Sequence, residues 1–264
     1  MYKLYNDDCL KVMPTLEPHS IDMILCDLPY GVLSKSNEEA QWDKPLPFDE
    51  LWKNYNRLIK PNGVIALFGQ GLFFAELILS NKDDFRYDLV WDKQLTSEFL
   101  NANRKPMRVH EQIAIFYKGN PTYNPQMTKG KPLHSKGTRY KLGGSNSAYG
   151  SYGVIEQQQT ITDDGYAEKY PTSLLSFQKP HPSKAVHTTQ KPTELLDWLI
   201  RTYTNEGDLV LDNCMGSGST GVSAVQLNRD FIGIEASERY FPIAEKRIDD
   251  VSDGADLLDF NGLE

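Results

Sequence analysis

Apolar residues along this chain come in short runs separated by amphipathic stretches. Ile21, Met23, Ile24 and Leu25 form a run with little polar interruption, which predicts a buried strand of a parallel sheet. Phe48, Leu51, Trp52, Tyr55, Leu58 and Ile59 then recur at helical spacing, and Pro61-Asn62-Gly63 ends that helix. Val64–Phe68 predicts a second buried strand and Leu72–Leu79 a second helix. Residues 86–92 and 111–117 alternate more strongly and flank a polar stretch, as the antiparallel margin of the same sheet would.

Order of the same kind resumes at Pro192. Leu195, Leu196, Leu199, Ile200 and Tyr203 share a helical face, 208–212 reads as a strand, and a glycine turn leads into a helix ending near Leu227. A strand over 231–235 and a helix from about Ser237 to Asp250 complete the series. Strands alternating with helices predict an α/β, mostly parallel, doubly wound sheet. Between about Gly119 and Val186 the periodicity fails, and Gly and Ser concentrate in GGSNSAYGSYG, residues 143–153. This predicts a loop-rich insert, dividing the chain into 1–118, an insert over 119–186, and 187–264.

Composition narrows the class. No apolar run approaches twenty residues and the first residues are polar, so neither a membrane span nor a signal peptide is expected, and a cytoplasmic protein is. The three cysteines, Cys9, Cys26 and Cys214, have no CxxC spacing, so they predict small apolar fillers rather than a zinc site or a disulfide framework, and no metal site is expected. The formal net charge is −8, unevenly distributed. From Lys118 to Lys191 ten basic residues stand against four acids, a balance of +6 that predicts a polyanion contact confined to the insert.

Two segments carry candidate chemistry. In ILCDLPYG, residues 24–31, Asp27 follows a buried strand, Pro29 stiffens the turn and Tyr30 offers a flat face. A carboxylate beside a ring suits a planar ligand with an amino group; a capping Asp with a packed Tyr is the plainer alternative. In LDNCMGSGST, residues 211–220, Gly216 and Gly218 allow a ligand close to the backbone at a helix mouth. Glu235 ends the following strand, where a carboxylate accepts hydrogen bonds from ribose hydroxyls. Gly216, Gly218 and Gly221 satisfy the dinucleotide pattern literally, so a nucleotide-dependent oxidoreductase stays open. Asp212, however, is poorly placed for a pyrophosphate and well placed for a cationic ligand such as S-adenosylmethionine.

The Asp27-Leu-Pro-Tyr30 tetrapeptide, the turn with its acid, and HTTQKP at 187–192 together resemble the amino-methylating DNA methyltransferases, in the class whose catalytic motif precedes the cofactor motif. The resemblance implies a Rossmann-like methyltransferase fold using S-adenosylmethionine. It implies catalytic roles for Asp27, Leu28, Pro29 and Tyr30, with Asp27 and the Leu28 carbonyl orienting an amino group. It implies cofactor contacts from Asp8, Gln190, Lys191, Pro192, Asp212, Gly216, Gly218 and Glu235. Leu28 departs from the usual proline and Cys214 from the usual phenylalanine.

Duplex DNA is the expected substrate, with adenine N6 preferred over cytosine N4 because an acid heads the tetrapeptide; an RNA or protein methyltransferase is the rival. Cytosine-C5 chemistry is not expected, since no Pro-Cys pair occurs. The insert is expected to read the target, with Lys129, Lys131, Lys136 and Arg139 at phosphates and Arg139, Asn146, Tyr149 or Tyr152 in the groove. The family resemblance leaves room for a homodimer and for a restriction endonuclease partner, in a bacterial or phage-like setting.

Overall fold

A computed structural model describes residues 1–31, 43–97, 99–131, 140–146, 150–157, 165–179 and 190–254, with backbone alone for 140–146 and 150–157. Of the insert residues named for DNA contact, Lys136, Arg139 and Tyr149 lie outside the described residues, as do the side chains of Asn146 and Tyr152. The chain divides into two compact units, Met1–Asn124 with Ser173–Glu264, and Pro125–Thr172.

The larger unit is built on one twisted sheet. Strand β1 (Tyr2–Tyr5) leads into a single-turn helix α1 (Cys9–Val12), and β2 (Ile21–Cys26) follows, every residue of it buried. Helix α2 (Phe48–Leu58) places Asp49 and Glu50 in its first turn and Arg57 in its last, matching its macrodipole, and buries Leu51, Trp52, Tyr55 and Leu58. Strand β3 (Ile59–Gly69) begins directly after it, earlier than the Pro61-Asn62-Gly63 signal implies. Its pairing jumps from Ile21↔Ile59 to Met23↔Val64, so the extra residues, Pro61 among them, bulge out of the ladder.

Helix α3 (Gly71–Ser80) returns to β4 (Phe85–Ser97) and β5 (Arg108–Phe116), the predicted alternating pair. The short β10 (Leu174–Ser176), with no periodicity of its own to announce it, lies parallel to β4 at the sheet edge. Helix α4 (Thr193–Tyr203), β11 (Leu209–Asp212), α5 (Ser219–Gln226), β12 (Asp230–Ile234) and α6 (Phe241–Ser252) finish the unit.

The strand order is β1-β12-β11-β2-β3-β5-β4-β10, and β5 alone runs against the others. Alternate side chains of β2 and β3 feed two cores. Met23, Leu25, Val64, Ala66 and Phe68 pack with α4, α5 and α6, while Ile24, Cys26, Ile65 and Leu67 pack with α1, α2 and α3. That two-faced burial explains why β2 is apolar from Met23 to Cys26. Leu195, Leu196, Leu199, Ile200 and Tyr203 of α4 are all buried, each contributing roughly 1.5–3 kcal/mol.

The unit Pro125–Thr172 contains two antiparallel pairs. Strand β6 (Thr128–Gly130) pairs with β9 (Ala167–Lys169), and β7 (Tyr140–Asn146) with β8 (Gly150–Gln157). The glycine- and serine-rich run expected to be irregular is therefore largely a β-hairpin, concealed because glycine is a poor strand former. The boundaries also change the electrostatics. Lys118, Lys179, Lys184 and Lys191 fall outside this unit, leaving six basic residues against four acids, +2 rather than +6.

Candidate active site

Strands β11 and β2 are adjacent and parallel, and the chain leaves them in opposite directions, toward β12 and toward β3. The carboxyl ends of two such strands open a crevice. Asp212 is the last residue of β11 and Asp27 the first after β2, and both line a cavity of about 880 Å³.

On the Asp212 side, backbone N–H groups hold the acids. Asp212 is 3% exposed, and its Oδ1 accepts from Cys214 N (3.1 Å). Burial pushes its carboxyl up to about 6 against the opposing pull of Thr220 and the Cys214 amide. Glu235 accepts from Gly216 N through Oε2 and from Ser237 N through Oε1, each at 2.8 Å. Burial still raises it above the ordinary carboxylate value. Gly216 has φ +54, and a Cβ there would meet nothing within 4 Å, so the turn leaves open space at the cavity. Gly218 has φ +78, caps α5 from the left-handed region, and lies so close to α6 that a Cβ would sit 2.9 Å from that of Ala244.

The turn is pinned from outside. Asn213 Oδ1 accepts from Tyr55 OH (2.5 Å), and Arg247 donates to the Ser217 carbonyl and to Ser219 Oγ. A buried acid that could face a cationic group, a second acid that could accept from vicinal hydroxyls and an open glycine turn are the set of groups that S-adenosylmethionine would need. Asp8 also lines this cavity while its Oδ1 caps α1 by accepting from Leu10 N (2.9 Å), so one side chain serves as helix cap and cavity wall.

On the Asp27 side, side chains replace backbone groups. Tyr30 OH donates to Asp27 Oδ1 (2.6 Å) and Lys191 Nζ to Oδ2 (2.5 Å). Lys191 is 8% exposed, lies 3.3 Å from Glu111 Oε2, and has Nζ 4.8 Å from the Phe68 ring centroid. Lys93 reaches Glu111 Oε1 at 3.3 Å. Burial alone would drive the Lys191 ammonium toward neutrality, but Asp27 and Glu111 outweigh it and raise its pKa. Burial would likewise protonate Glu111, yet Lys191, Lys93 and Lys179 bring it below the usual carboxylate range. Burial and the neighbouring Asp27 and Glu111 charges hold the Tyr30 phenol well above its ordinary value, so it stays a donor. Asp43 fixes the catalytic loop by accepting from the backbone N–H of Tyr30 (2.8 Å) and Gly31 (3.0 Å).

Ten of the twelve residues named from sequence line this one cavity; Pro192 and Gly218 do not and act as the N-caps of α4 and α5. Lys191 meets the catalytic carboxylate, whereas the resemblance implied a cofactor contact. Glu111, Lys93 and Asp43 were missed as site residues. The first two meet only through the register of adjacent strands, in which Trp91 pairs with Glu111 and Lys93 lies diagonally across from it. Cys9, Cys26 and Cys214 have raised thiol pKa values, Cys26 pushed up to about 12 by burial, which suits packing rather than reactivity.

Residues 21–246 match the family model for N6/N4 DNA methylases. The Type II methyltransferase M.HpaI of Haemophilus parainfluenzae is 26% identical over 97% of this chain and 77% of its own length. M2.DpnII of Streptococcus pneumoniae is 28% identical over 93% and 89%. In fold, the chain is similar to a crystal structure of the M1.HpyAVI–SAM complex (TM-score 0.61, 23% identity, 94% of this chain and 99% of that one). It is also similar to the PvuII cytosine-N4-specific DNA methyltransferase (TM-score 0.62, 17% identity, 100% and 93%).

Proposed function

The chain belongs to the N6/N4 DNA methylase family, S-adenosylmethionine-dependent DNA methyltransferases, and from that premise we propose that it methylates the N6 amino group of adenine in duplex DNA. The observation that carries the proposal is one carboxylate, Asp27, held as a pure acceptor by Tyr30 and Lys191 in the same cavity as Asp212 and Glu235.

The chemical difficulty is the nucleophile. The lone pair of an exocyclic amino group is delocalised into the ring, so it attacks only when drawn out of that conjugation. Asp27, accepting one N–H, favours a pyramidal nitrogen whose lone pair faces the methyl group. Each carboxylate oxygen has two acceptor sites, so the Lys191 and Tyr30 contacts do not exclude the amino group. Lys191 fixes the carboxylate plane; Tyr30, its ring packed on Phe73 at 4.7 Å, presents its remaining face to the base. S-adenosylmethionine, when bound, supplies an electrophilic methyl group. Asp212 holds a cationic group and Glu235 the ribose hydroxyls, while Asp27 is the nearest base for the amino proton released after transfer.

Adenine is favoured over cytosine by the acid at the head of the tetrapeptide. The unit Pro125–Thr172 is assigned to target recognition on the strength of its independent compactness, with Lys129 and Lys131 exposed on it. The Type II relatives suggest a restriction–modification setting with an endonuclease partner. Methylation of mixed-sequence DNA followed by nucleoside mass spectrometry tests the reading. N6-methyladenine within one short sequence context is expected; N4-methylcytosine would overturn the base assignment, and label confined to RNA or protein the DNA reading itself.

A further inference from the structure

The hairpin formed by β4 and β5 supplies Trp91, Lys93, Ser97 and Glu111, on the part of its strands nearer the turn, to the cavity wall. Its tip carries large apolar side chains in water: Phe99 is 73% exposed and Leu100 84%, with Met107 and Val109 also exposed. Apolar side chains at a solvent-facing tip need a partner to justify them.

Three observations say what the partner is. First, residues 98–110 contain Arg104, Lys105 and Arg108 against one acid, Glu98, a net positive turn in a chain whose net charge is −8. Such a tip is complementary to a polyanion and repels its own copy across a two-fold axis, where like patches meet. Second, the tip is a built structure. Ala102 N donates to the Phe99 carbonyl (3.1 Å), and Arg104 N (2.8 Å) and Lys105 N (3.0 Å) both donate to that of Asn101. Third, the hairpin is bent just above the cavity. The pairing skips from Asp92↔His110 to Ser97↔Arg108, and Gln94 within that bulge adopts φ +52. A non-glycine residue in the left-handed region is an uncommon conformation, and bulges of this kind re-aim a strand end.

We propose that this tip is a DNA wedge, Phe99 and Leu100 entering the base stack beside the target nucleotide while Arg104 and Lys105 engage the flanking phosphates. The proposal rests on the DNA methyltransferase reading above. A base that must reach Asp27 has to leave the duplex, and an apolar side chain that takes its place in the stack lowers the cost of holding it out.

The test is methylation by the full chain of two duplexes, one fully paired and one with the target base opposite an abasic site, where unstacking is already cheap. The F99A/L100A variant is expected to lose about tenfold or more in kcat/KM on the paired duplex and to stay within about twofold of wild type on the abasic one. Both side chains are exposed, so unchanged cofactor affinity confirms that the variant is folded. With 2-aminopurine at the target position, wild type should raise fluorescence and the variant should not. Replacing Arg104 and Lys105 by Gln should lower the salt slope of DNA binding by about two. Equal losses on both duplexes, or none, would overturn the wedge, as would a wild-type dimer that the double variant converts to monomer by sedimentation. A wild type that methylates neither duplex would instead remove the DNA reading on which the wedge depends.

Discussion

The two ends of the cavity hold their carboxylates by different means. Asp212 and Glu235 rest on backbone N–H groups of Cys214, Gly216 and Ser237, all within nineteen residues of their acceptors. Asp27 rests on side chains, one of them Lys191, 164 residues away in sequence. Backbone cradles come with the turn and vary little with side-chain identity. Side-chain networks are tunable and fail when one member is lost, because a buried charge is then left unpaired. The Asp212 end is thus a fixed socket, and the Asp27 end a charge assembly whose members depend on one another.

Asp27→Ala gives the largest expected effect. It removes the acceptor that orients the amino group, and methyl transfer should fall by about 10³-fold or more while cofactor and DNA affinity persist. Single-turnover rates with equilibrium binding measure both, and a rate within a few-fold of wild type would reject the role.

Lys191→Met strikes the assembly itself. A loss of roughly 3–5 kcal/mol in stability is expected from leaving Asp27 and Glu111 short of a partner, with a fall in kcat and little change in cofactor affinity. Lys191→Arg should recover part of both. Thermal melts beside kinetics would show the contrast, and an intact kcat in the Met variant would reduce Lys191 to a packing residue.

At the socket the expected effects are smaller. Glu235→Ala should weaken cofactor binding by about tenfold through lost hydrogen bonds without altering the chemical step. Calorimetry also gives the pH test. Asp212 lies at about 6 in the folded chain against an ordinary value of 3.8. Between these pH values the native state keeps a proton that the unfolded chain has lost, so the residue's contribution to folding stability falls as pH rises through that window. Affinity for a cationic ligand runs the other way, rising as Asp212 ionises and weakening below about pH 6. An affinity flat from pH 5 to 8 would separate Asp212 from the cofactor's charge. Smallest of all, Gly216→Ala, whose Cβ would meet nothing within 4 Å, should cost about 1–2 kcal/mol of stability through its left-handed φ alone, read from a denaturant midpoint.

The same contrast explains what was legible in the sequence. The strand–turn–helix around Asp212 and the face of α4 announce themselves by local periodicity and glycine placement, and both formed as read. Glu111 and Lys93 lie within β5 and β4, where a charged residue in an alternating strand ordinarily means the solvent face, and only the β4–β5 register brings them together. Asp43 was invisible for a similar reason: its role is to accept two backbone N–H groups of a loop twelve and thirteen residues earlier. The insert misled in two ways. Glycine masked the β7–β8 hairpin, and a charge count taken across its borders included Lys179 and Lys191, which line the cavity.

The position of β11 in the sheet has a consequence for how the molecule comes into being. It lies between β12 and β2, although some 180 residues separate it from β2 along the chain. On a ribosome, the segment bearing Asp27 emerges long before the strand that must lie beside it. Contacts of such long sequence separation form late and slowly. The growing chain therefore exposes an unpaired, largely apolar edge at β2 until Leu209–Asp212 arrives, an interval in which aggregation competes with folding. A nascent chain stopped before Asp212 would hold the whole Asp27–Tyr30 tetrapeptide without Asp212 or Glu235, so the two ends of the cavity cannot be complete together until β12 has emerged.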